Sequence, residues 1–112
     1  MQSVTQITVS ELKKKLDNII GFEIVGSHTA IANNIADLSD CNDSSLIWVS
    51  EKKARTIQLN EIVASLIFVP TSIRSEINAD SKSCFIVSDN PRLAFALVVN
   101  DILKVNKYDG IH

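Results

Sequence analysis

The side chains able to do chemistry are scattered in this sequence. His28 and His112 have no obvious partner with which to form a base–nucleophile pair, and His28 reads as a surface residue of a polar loop. No serine lies in a G-x-S-x-G elbow, and three widely spaced glycines cannot build a phosphate-cradling loop. Cys41 and Cys84 form no CxxC and have no nearby histidine pair, which argues against zinc. The acidic residues form no run of metal ligands. The residues thus assign no catalytic group, metal or cofactor to this chain, and binding is the better-supported chemistry. Trp48 is the sole tryptophan and stands just before an expected helix start. An indole there can stack on a flat base, a contact of ~1–3 kcal/mol, or it can fill the core. The free N–H groups of the helix start suit an anion, although Glu51 opposes a close phosphate.

These residues need elements to hold them. Thr8 and Glu11 have the T-x-x-E spacing of a capping box, and Val9, Leu12 and Leu16 share one helical face, which predicts a helix over 9–17. Gly21 follows and can end that segment. "FEIVG" reads as a short strand closed by Gly26, and 27–45 as loops around one or two minor strands. "SLIWVS", "SLIFVP" and "SCFIVS" are near-continuous apolar runs, the pattern of strands covered on both faces of a parallel or mixed sheet. Ser50 can cap a helix running from Glu51 to about Val63. In "SDNPRLAF", Asn90 suits an N-cap and Pro91 the first helical position, and apolar spacing extends the helix over 91–103. Local chemistry leaves Arg92 unexplained. Gly110 is expected to break the last helical region. The order of elements predicts an α/β (α+β) fold, a small single domain with a mixed sheet flanked by helices.

Composition bounds the function. The chain has 112 residues, with 46% hydrophobic and 21% charged residues, an ordinary globular balance. A net charge of -2 argues against a broad nucleic-acid surface. The one basic cluster, Lys13-Lys14-Lys15, reads as a solvated helix face. The apolar runs fall far short of the ~20 residues of a membrane span, and no basic start followed by an apolar stretch marks a signal peptide. A cytoplasmic protein with two free thiols is expected.

Two stretches, "SLIWVSEKKARTIQLNEIVASLIFVP" and "FIVSDNPRLAFALVVNDIL", resemble the N-terminal domain of the UDP-3-O-acylglucosamine N-acyltransferase family of lipid A biosynthesis. Asp89, Asn90, Pro91, Arg92, Ala94 and Phe95 match its "DNPR-x-AF" signature, and the likeness spans roughly residues 8–112. The resemblance implies a nucleotide-sugar-binding domain over 1–109. It also implies the start of a truncated hexapeptide-repeat, left-handed β-helix at 110–112. Full-length members are homotrimers. They move a 3-hydroxyacyl group from acyl carrier protein to the amine of a UDP-glucosamine derivative, and their catalytic histidine lies in the β-helix. The chain alone is therefore expected to be inactive. The family holds uridine with an aromatic, an Asn and a Tyr at three-residue spacing. Those positions read Trp48, Glu51 and Ala54 here, so two of the three depart. The alternatives are a non-catalytic interaction module of the same fold, or a domain serving a different nucleotide-sugar.

Overall fold

The computed structural model describes the backbone of residues 2–111, and side chains at residue 4 and over 6–102. The strands are β1 (Gln2–Thr8), β2 (Glu23–Gly26), β3 (Ile31–Ile35), β4 (Ser45–Trp48), β5 (Leu66–Pro70) and β6 (Cys84–Ser88). The α-helices are α1 (Val9–Leu16), α2 (Glu51–Ala54) and α3 (Pro91–Ile111), and single 3₁₀ helices cover Leu59–Glu61 and Thr71–Glu76. One mixed sheet takes the order β1-β3-β4-β5-β6-β2. The four inner strands are mutually parallel, and β1 and β2 close the edges antiparallel.

The apolar runs become central strands because both of their faces are covered. Leu46, Leu66, Phe68, Cys84 and Ile86 point to the side that α1 and α3 cover with Leu12, Leu16, Ala94 and Val98. Their neighbours Ile47, Val49, Ile67, Val69, Phe85 and Val87 point the other way, onto Ala54, Leu59, Ile73 and Ile77. Phe68 meets Phe95 of α3 edge-to-face, with ring centroids 5.9 Å apart. Lys13 and Lys14 are exposed as expected, while Lys15 is half-buried and pairs with Asp101 across α1 and α3. At the amino ends of the parallel strands the serines reach backwards. The Ser65 hydroxyl donates to the Ile31 carbonyl (2.7 Å) and that of Ser83 to the Ala64 carbonyl (2.6 Å).

Several expectations need correction. α2 is one turn, not a helix reaching Val63. The Thr56 N–H and hydroxyl both go to the Lys53 carbonyl, at 3.0 and 2.9 Å, taking the acceptor that a further turn needs. β1 is a strand where none was expected. The capping box is half-formed: Thr8 Oγ1 accepts from the Glu11 N–H (3.2 Å), but the Glu11 carboxylate accepts the Thr8 hydroxyl (3.3 Å) instead of the backbone N–H. Thr8 is still in register with Ile31 in the sheet, which fixes its backbone. α1 stops at Leu16, one residue before the expected end, and Asn18, at φ 65°, turns the chain ahead of Gly21. α3 passes through Gly110 instead of breaking there. A lone glycine costs a helix only about 1 kcal/mol relative to alanine. Of the expected β-helix start at 110–112, His112 lies outside the described residues. No helix among the described residues is long and apolar enough to cross a membrane.

Candidate functional site

In an open sheet with parallel strands, ligands bind beyond the carboxyl ends of the strands. Here those ends are Ile35, Trp48, Pro70 and Ser88. Beyond the first two lies an open cavity of about 500 Å³, lined by Trp48, Val49, Ser50 and Lys53 and by residues 36–39. Parallel pairing of β3 with β4 brings the two segments together, with Ile35 beside Leu46. Trp48 is half-buried: it packs against the core side that holds α1 and α3, and it also lines the cavity.

The walls are held by local hydrogen bonds. Ser50 Oγ accepts from the Lys53 N–H at 3.2 Å, which fixes the turn of α2. Across the cavity, Asp40 Oδ1 accepts from the Asp37 N–H (2.9 Å), and the Asp40 N–H donates to the Asp37 carbonyl (3.1 Å). The buried Asn34 anchors the same connection. Its amide donates to Asn42 Oδ1 (3.3 Å) and the Ser44 carbonyl (3.2 Å), and its Oδ1 accepts from Ser45 Oγ (2.5 Å). The Lys53 ammonium and the Asp37 carboxylate are exposed, and neither has a side-chain partner among the described residues.

The three residues singled out from the sequence are not brought together. Trp48 lines the cavity. Glu51 is exposed and forms a 3.0 Å ion pair with Arg55, one turn on. Ala54 is 2% exposed and faces the opposite core layer. Lys53, not singled out from the sequence, lines the cavity. Asp37 and Leu38 were also missed, since they belong to a loop that only the sheet order sets beside β4.

The "SDNPRLAF" corner is a strand-to-helix junction in full. Asn90 Oδ1 accepts from the Leu93 N–H (3.1 Å), Ser88 Oγ from the Asn90 N–H (3.1 Å), and Asp89 Oδ1 from the Thr71 hydroxyl (2.8 Å). Arg92 is exposed in the first turn of α3, and nothing in the structure explains it. A cavity of about 410 Å³ at this corner is lined by the carboxylates of Glu23 and Asp89. The Arg74 guanidinium hydrogen-bonds Glu23 (2.9 Å) and, together with its charge, holds that carboxyl below its usual range. A third cavity, about 520 Å³, opens at the amino ends of the strands, where Ile31 and Val63 stand exposed. Among the described residues no group of three potential metal ligands is assembled. Both cysteines are free thiols. No family model matches the chain, and no curated protein matches it.

Proposed function

We propose that this chain is the nucleotide-sugar-binding domain of a larger N-acyltransferase, with Trp48 as the platform for the base. The larger enzyme would be a cytoplasmic homotrimer. It takes a 3-hydroxyacyl group from acyl carrier protein and places it on a UDP-glucosamine derivative, with the chemistry carried out beyond this domain. The observation that carries the reading is that half-buried Trp48 lines an open cavity at the carboxyl ends of parallel strands together with Lys53, which has no side-chain partner among the described residues. The resemblance of the "DNPR-x-AF" corner and the apolar strands supplies the acyltransferase context.

One observation favours a second reading, a non-catalytic interaction module. Glu51 is committed to Arg55 and Ala54 to the core, so two of the three positions expected to touch uridine do not face the cavity. The two readings separate in a fluorescence titration. Trp48 is the only tryptophan, so its emission reports directly on the cavity. UDP and UDP-sugars are expected to quench it saturably, and Trp48→Ala is expected to abolish UDP binding measured by calorimetry while the domain stays folded. Emission that UDP leaves unchanged, with no heat of binding, supports the module.

A further inference from the structure

We infer that Asp37 and Lys53 divide the polar part of the ligand between them, Lys53 holding the phosphate and Asp37 accepting from the ribose hydroxyls. The cavity then selects a phosphorylated ribonucleoside over both the bare nucleoside and the deoxy form. The inference rests on the nucleotide reading of Trp48 and adds two residues that determine specificity. Three features of the cavity lead to it. First, a tryptophan, a lysine and an aspartate line one space. Second, neither charge is used by the fold: Lys53 and Asp37 have no side-chain partner among the described residues. Third, they sit on separate walls. Lys53 lies in α2, the helix that follows β4, whereas Asp37 stands two residues past the end of the neighbouring parallel strand. An ionised carboxylate only accepts and a ribose diol offers two donors, the pairing that dinucleotide-binding α/β sheets use for their ribose.

The two other cavities described above lack this combination. At the corner cavity Glu23 is already paired with Arg74, and the remaining charged lining residue, Asp89, is a carboxylate and offers nothing to a phosphate. The cavity at the amino ends holds Asp43 and Lys82 but no aromatic ring.

The test is calorimetric, so that it does not depend on Trp48 emission. UDP, uridine and 2′-deoxyuridine diphosphate are titrated into the wild type, Lys53→Met and Asp37→Ala. Both substitutions replace exposed side chains without partners, so unchanged melting curves are expected. For the wild type, UDP should bind about tenfold or more tightly than uridine and than the deoxy diphosphate, the effect of one hydrogen bond to a charged group. Lys53→Met should erase the preference for UDP over uridine and keep the preference over the deoxy form. Asp37→Ala should do the reverse. If the wild type binds uridine and UDP equally, or if the variants leave the ratios unchanged, the division of roles is overturned and stacking on Trp48 stands. If the wild type binds none of the three, the nucleotide reading falls with it.

Discussion

Trp48 and Cys84 occupy opposite ends of the same sheet, and their environments differ in kind. Trp48 is half-buried, packs against the core and lines the cavity. Cys84, 0% exposed, opens β6 beneath α1 and α3, and burial pushes its thiol up to about 12. A thiol without thiolate and without access is inert. Cys41 is half-buried in the connection after β3, donates from Sγ to the Leu38 carbonyl (3.4 Å), and is raised less, again by burial first. Alkylation of the native protein at mildly alkaline pH should therefore modify Cys41 first, and Cys84 only as fast as the core opens. Peptide mass analysis over a time course decides it: equal rates at the two sites would contradict the packing of β6. The buried character of Cys84 is legible in the sequence, since it opens an apolar run. The dual position of Trp48 is not, because one residue type serves core and ligand alike.

At the scale of elements, the parallel strands are legible for a plain reason. A strand covered on both faces loses its polar alternation, and "SLIW", "LIFVP" and "CFIVS" have lost theirs. β1 is hidden because "QSVTQIT" is largely polar, and its strand character comes from pairing with β3. The end of α2 is hidden because Thr56, an ordinary residue in a helical pattern, takes the Lys53 carbonyl with both its N–H and its hydroxyl. One junction is under backbone constraint. Gly26 ends β2 at φ +98°, and a Cβ there would lie 2.3 Å from the Ser83 carbonyl oxygen. Gly26→Ala should cost roughly 2 kcal/mol or more. Gly21→Ala, where a Cβ would meet nothing within 4 Å, should stay within about 0.5 kcal/mol of wild type. Urea midpoints of the two variants are the check, and an equal loss in both would contradict the β2–β6 register.

For the whole molecule, the sheet order decides what can become a site. Setting β3 beside β4 carries residues 36–39 to the carboxyl end of the strand that presents Trp48, although residues 40–47 separate them in sequence. The two covered faces leave the strand ends as the places where polar groups and aromatic surface meet. Of the three cavities described above, the one beyond the β3 and β4 ends is lined by both an aromatic residue and a lysine without a side-chain partner among the described residues. The proposed function places a nucleotide there. Amide chemical-shift mapping of the isotope-labelled chain with UDP tests the location itself. Shifts that saturate and cluster at residues 36–39 and 48–53, together with the Trp48 indole N–H, are the expected result. Shifts confined to the corner at residues 20–23 and 88–93, or no shift at any residue, would contradict it.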